Sequence, residues 1–227
     1  NTTGSQTVGS IITNVGTNKK YVFFDTPSTL KSGNAVIAAY QDSKIVWSWH
    51  IWVCDGYNPS TTSQTLMGKS SAMMDRNLGA LSASPGNALT NGLFYQWGRK
   101  DPFPGAAETY VSSSSGGHFM KTTKGETLTV VASESVNATE EYAKEHPDTY
   151  ITTTKNNGDW LAVPVHTLWG TTKTIYDPCP AGWRVPDAYV LDSNNAHVYA
   201  KEAWSTADNV LKYQRVANNG QYGVYLY

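Results

Sequence analysis

The clearest alternation of apolar and polar positions lies at residues 44–55, KIVWSWHIWVCD. As a strand it puts Ile45, Trp47, Trp49, Ile51 and Val53 on one face and Val46, Ser48, His50, Trp52 and Cys54 on the other. Both faces are mostly apolar, which predicts a central strand covered on two sides. His50 is then a satisfied interior histidine rather than a ligand. Two more strands are predicted upstream, at 21–25 and 35–41, with Pro27, Ser32 and Gly33 turning the chain between them. Asp42-Ser43 is short enough for a two-residue hairpin loop, although it lacks the favoured glycine. Ile11-Ile12 is the one candidate for a short strand before them.

After a turn-rich connector at 55–68 the pattern changes. Residues 73–105 and 176–186 set Trp or Tyr beside Gly and Pro, with arginine in each stretch. That mixture suits a loop-rich core in which rings fill volume and Gly and Pro fix the turns. Within it, GLFYQW at 92–97 predicts a short strand. Residues 106–135 carry little pattern beyond an edge strand near 122–131. Asn137-Ala-Thr-Glu140 predicts a capping box opening a helix that Pro147 stops. A short helix near 187–191 and strands at 210–216 and 223–227 complete the reading.

These elements predict a mainly β chain with an α+β C-terminal part. Residues 1–60 form a partial immunoglobulin-like β-sandwich, and 61–227 a loop-rich, lectin-like domain with few short helices. Three strands cannot close a sandwich of about seven. The first module therefore reads as the second half of one, completed by strands upstream or from another chain. The apolar ending VYLY similarly suggests an interrupted strand.

Charged residues make up 15% of the chain and net charge is −1, so no basic surface addresses nucleic acid or an anionic membrane. Apolar runs are too short to predict a transmembrane segment. The many Thr, Ser, Asn and Gly residues, with 8 Trp and 14 Tyr, suit an extracellular, loop-heavy fold. Cys54 and Cys179 are compatible with one long-range disulfide or with two buried thiols.

Four motifs together, WSWHIWVCD, MDRNLGA, GLFYQWGRKDPFPG and YDPCPAGWRVP, resemble a group of Bacteroidetes fimbrillin-related surface proteins. Their C-terminal part is similar to the Fibrobacter succinogenes major paralogous domain. The likeness spans residues 34–186 and implies a protein at the outer surface of a Gram-negative bacterium. It further implies an immunoglobulin-like module followed by a C-type-lectin or formylglycine-generating-enzyme-like architecture. Residues matching the signature are Arg76, Asn77, Trp97, Gly98, Arg99, Cys179, Pro180, Gly182, Trp183 and Pro186. A final Cys-bearing segment of the family pattern is not found here.

Candidate chemistry is thin. His50, His118, His146, His166 and His197 are scattered without metal-ligand spacing. No nucleophile elbow, phosphate loop or cysteine cluster accompanies them. The expectation is a non-catalytic protein without a cofactor. Calcium is a possibility that the likeness raises and the residues do not support. The acidic-amide groups Asp75/Asn77, Asn157/Asp159 and Asp192/Asn194/Asn195 are ordinary turn formers. Aromatic rings that could stack on a sugar are Tyr95, Trp97, Trp160, Trp169 and Trp204. Trp160 and Trp204 stand beside polar sequence and are expected to be exposed. Trp97 and Trp183 are expected to pack inside the framework, with Arg76, Asn77, Arg99 and Cys179. Arg76, Arg99 and Arg184 should bridge loops to carbonyls or to Asp75, Asp101 and Asp177.

The expected role is cell-surface adhesion, associated with fimbriae and directed at a glycan or host-surface ligand. Two alternatives are a surface lipoprotein that captures glycans for uptake and a pilus subunit completed by strand addition.

Overall fold

A computed structural model describes residues 11–18, 20–65, 72–84, 89, 92–103, 111–112, 118–119, 129–153, 159–186, 203–205, 210–214 and 222–226. In chain order the elements are β1 (Asn14–Asn18), β2 (Tyr21–Asp25), β3 (Gly33–Gln41), β4 (Lys44–Val53), α1 (Pro59–Thr62), β5 (Gln64–Thr65), β6 (Ala72–Met73), β7 (Phe94–Tyr95) and β8 (Pro102–Phe103). There follow β9 (Val111–Ser112), β10 (His118–Phe119), β11 (Thr129–Ala132), α2 (Glu140–Glu145), β12 (Thr149–Thr152), β13 (Ala203–Ser205), β14 (Val210–Gln214) and β15 (Tyr222–Leu226). The protein is mainly β, with short helices. Among the described residues its sheets have two or three strands each and no sandwich closes.

The predicted strands of the first 60 residues form, joined by one that was not foreseen. β1 reads NVGTN, too polar to announce a strand, yet it pairs antiparallel with β2 from Asn14↔Asp25 to Asn18↔Tyr21. The Phe23 ring lies over Gly16, so a Cβ there would require the ring to move aside. Ile11 and Ile12 are not a strand; they bury as an apolar pair ahead of β1. β3 and β4 form a hairpin through Asp42 and Ser43, whose φ values of 49° and 67° are the left-handed pair of a type I′ turn. Among the described residues the sheet of β4 is two-stranded, with β3 its one partner, so the central position its sequence predicts is not seen. Lys100 and Asp101 pack against β4 at Trp47 and Ser48.

The chain divides into two compact units, Asn1–Ala35 with Ile51–Gly92 and Pro186–Tyr227, and Val36–His50 with Leu93–Val185. The second holds the larger described core: Ala138, Ala143, Ile151, Trp160, Leu161 and Leu168. Helix α2 is shorter than expected. Its cap is Thr139, whose hydroxyl accepts from Tyr142 N–H at 3.1 Å, so Asn137 lies outside it. Of the edge strand expected at 122–131, residues 122–128 lie outside the described residues, and a strand at 129–132 pairs in parallel with β12. The 92–97 strand contracts to β7, which pairs with β8. The strands expected at 210–216 and 223–227 correspond to β14 and β15, joined to β13 in one antiparallel sheet. The helix expected at 187–191 falls outside the described residues.

Candidate functional site

In the second unit, the turn between β7 and β8 gathers the motif residues. Arg99 N–H donates to the Gln96 carbonyl at 3.0 Å, and Gly98 takes a φ of +76°. A side chain at Gly98 would be strained, and its Cβ would stand 2.6 Å from Leu168. Gln96 then acts as a surrogate strand. Its amide nitrogen donates to the Ile151 carbonyl, and its oxygen accepts from Ile151 N–H at 3.3 Å.

Arg99 is 3% exposed and bonds mainly to backbone. Nη1 donates to the Thr149 carbonyl at 2.6 Å and to Gln96 Oε1 at 3.1 Å. Nη2 donates to the His146 carbonyl at 2.9 Å and to that of Ala143 at 3.4 Å, occupying carbonyls at the end of α2. The guanidinium lies 5.0 Å from the Phe103 ring centre and 5.9 Å from that of Trp160. Nε is buried without a hydrogen-bond partner. Burial lowers the Arg99 pKa to about 10, with Asp101 and Asp148 opposing.

Beside it, Asp101 is paired with Lys100 rather than Arg99, at 2.8 Å, and accepts from Ser48 Oγ at 2.6 Å. Lys100 also donates to the Ser48 carbonyl at 2.9 Å and hydroxyl, and lies 4.5 Å over Trp47. A lysine touching a serine hydroxyl invites a nucleophile-and-base reading. Burial lowers the Lys100 pKa, but the Asp101 carboxylate favours the charged form. Ser48 is 1% exposed, so its hydroxyl presents no face to a substrate. The trio anchors β4 to the turn.

His50 fulfils its expectation as an interior histidine. Its Nδ1 lies 3.2 Å from Tyr95 Oη, and burial holds its pKa down to about 4, with Asp101 opposing. Tyr95 is half-buried, and its own pKa is raised by burial first and then by Cys179 and Asp101. Asp177 collects the 176–186 motif: its carboxylate accepts from Lys173, Cys179 N–H and Val185 N–H, each at 2.8 Å. Burial alone would raise its pKa, but these donors outweigh it and the net direction is down. Cys179 is a free thiol, pushed up to about 12 by burial and by Asp177. Trp183 is half-buried in a turn where its N–H reaches the Pro180 carbonyl at 3.0 Å. Arg184 Nη1 donates to the Val185 carbonyl at 3.0 Å.

Two tryptophans exchange the places expected of them. Trp160 is buried, at 3% exposure, because its indole N–H donates to the Trp97 carbonyl at 2.8 Å. The polar neighbour Asp159 does not draw it out; Asp159 Oδ1 accepts from Leu161 N–H at 3.0 Å. Trp97 is the exposed one, at 36%, for the framework uses its carbonyl and leaves the ring outside. Half-buried Trp169 stands 6.4 Å from it, ring centre to ring centre, held by an indole bond to the Tyr176 carbonyl at 2.8 Å. Trp204 lies on β13, where the structure describes backbone only. A shallow cleft, with room for about 10 Å³ and open to solvent, is lined by Gly98, Lys100, Asp101, Glu140, Trp160 and Tyr176 among others.

The first unit holds a further motif arginine. Arg76 clasps Asp75 at 2.7 and 3.0 Å, touches Cys54 Sγ at 3.3 Å and stacks 3.9 Å over Tyr57. Hydrogen bonding to Asp75 raises its pKa against the cost of burial. Asn77 offers its carbonyl to Ala80 N–H at 3.0 Å. Cys54 is a free thiol.

Among the described residues no cluster of three or more His, Cys, Asp or Glu could hold a metal, and no helix is long and apolar enough to cross a membrane. Asp75 is taken up by Arg76, while residues 157 and 192–195 are outside the described set. Sequence reasoning missed Gln96, Ser48 and Lys100. One signal was available for Gln96, the lone polar residue in an aromatic run. Comparison with protein-family models, curated proteins and solved structures finds no match to this chain.

Proposed function

We propose that this chain is a non-catalytic cell-surface adhesion protein, associated with fimbriae, which binds glycan or host-surface ligands. The four-motif likeness to Bacteroidetes fimbrillin-related proteins supports that reading, as does a chain poor in charge and rich in neutral polar and aromatic residues. On the same likeness, residues 61–227 are a lectin-like module and residues 1–60 belong to an immunoglobulin-like one. The observation that carries the proposal is the pairing of Trp97 with Trp169. The neighbouring polar groups of Gln96, Arg99 and Asp101 are engaged with the protein itself, whereas the Trp97 ring is exposed. Two tilted rings 6.4 Å apart offer apolar faces to a sugar whose hydroxyls remain near water.

The reading is tested by screening the full chain on glycan arrays and host-matrix proteins, with localisation in the source cells. It predicts surface localisation and hits that fall at least about tenfold for Trp97→Ala, the loss of one stacked ring. No hits together with localisation away from the surface overturn it. A second reading, a pilus subunit completed by strand addition, is favoured by the small open sheets. A chain that is monomeric and closes a sandwich with its own strands contradicts that reading.

A further inference from the structure

We infer that β2 is a self-pairing edge: two copies of this chain join β2 to β2 in antiparallel fashion about a two-fold axis at Phe23. β2 is paired with β1 on one side, and among the described residues no strand occupies its other side. Four successive large side chains are left uncovered, Tyr21 at 59%, Val22 at 37%, Phe23 at 46% and Phe24 at 38%. Alternation sends them to both faces of the ribbon, so a helix or loop laid on one face would cover only half of them. A strand added at the edge extends both faces together and satisfies the edge amides.

The occupant follows from the sequence of β2 itself, YVFFD preceded by Lys20. A two-fold at Phe23 sets Phe23 against Phe23, Val22 against Phe24, and Tyr21 against Asp25 of the other copy. Phe23 then meets Phe23 on one face, and Val22 meets Phe24 twice on the other. Lys20 extends its ammonium over the Tyr21 ring, 5.2 Å from the centre. In the paired register that is the side on which the other copy's Asp25 stands. Each end of the joint therefore carries one lysine and one aspartate, and the symmetry supplies the pair twice. A parallel pairing would set Asp25 against Asp25.

Sedimentation equilibrium of the full chain from micromolar to millimolar concentration tests this. The expected result is a monomer–dimer equilibrium abolished by Phe23→Lys, which places two ammonium groups at the axis. Lys20→Glu and Asp25→Lys should each weaken dimerisation about tenfold, and the double variant should restore it. Both residues are on the surface, and Asp25 also accepts from Asn14 Nδ2 at 3.0 Å. The double variant still lacks that bond, so the return of dimerisation in it separates the loss of the bond from the charge pairing. A monomer at every concentration overturns the inference, as does a dimer indifferent to Lys20 and Asp25. A monomer with β2 amides protected from exchange would place another segment of its own chain on the edge, and equally overturns it.

Discussion

Arg76 and Arg99 sit in glycine-rich aromatic turns of the two units, yet they solve the burial of a guanidinium in opposite ways. Arg76 keeps a carboxylate, a thiol and a tyrosine face around it, with its side chain 12% exposed. Its charge is matched, and its pKa is raised. Arg99 has no carboxylate within hydrogen-bonding reach among its described contacts; it spends its donors on the carbonyls of Ala143, His146 and Thr149 and on Gln96. Burial outweighs the attraction of Asp101 and Asp148, and its pKa falls to about 10. The first arginine is a local clamp. The second is a hub that gives the α2–β12 connection the partners its backbone lacks.

The largest effect should come from breaking the hub. Arg99→Met leaves several carbonyls without a donor and should cost about 4 kcal/mol in urea unfolding. Arg99→Lys should recover little, because an ammonium cannot span the same fork. A cost below that of the equivalent change at Arg76 would break the comparison.

Acid sharpens it next. His50 has its pKa depressed in the fold to about 4 from 6.5. Below pH 6.5 the unfolded chain takes up a proton that the folded chain refuses. Stability is therefore lost as pH falls from about 6.5 towards 4, by up to about 3 kcal/mol, and not beyond. Chemical unfolding across that window should show the slope in the native protein and its absence in His50→Gln. Asp177, whose pKa is also lowered, adds its loss as pH falls through and below the ordinary carboxylate range, where the unfolded chain protonates first, and the loss ends once the folded carboxyl protonates.

Smaller effects mark the clamp and the surface. Arg76→Met should cost about 2 kcal/mol, since Asp75 keeps a route to water and can be solvated in place. Lys44 pairs with Glu145 at 3.1 Å while 69% of its side chain is exposed. Lys44→Ala should change stability by less than about 0.5 kcal/mol, measured in the same urea series.

Local chemistry was legible in the chain and tertiary placement was not. The β2 and β3–β4 strands follow from β-branched and aromatic runs, and the bridging arginines from their Gly and Pro surroundings. β1 was hidden because Asn14–Asn18 is polar and owes its strand to pairing with β2. Trp160 and Trp97 were placed the wrong way round because neighbours in sequence do not report which carbonyl an indole reaches. β4 has the composition of a central strand, but side chains such as Lys100 and Asp101 take part in its cover, and no periodicity announces them.

The claim that Arg99 serves the backbone is tested most directly by hydrogen exchange in Arg99→Met. Protection of the Ala143, His146, Thr149 and Ile151 amides should fall about a hundredfold or more, beyond any change at Ala80 in the first unit. Unchanged protection at those four amides, or an equal loss at Ala80, would contradict it.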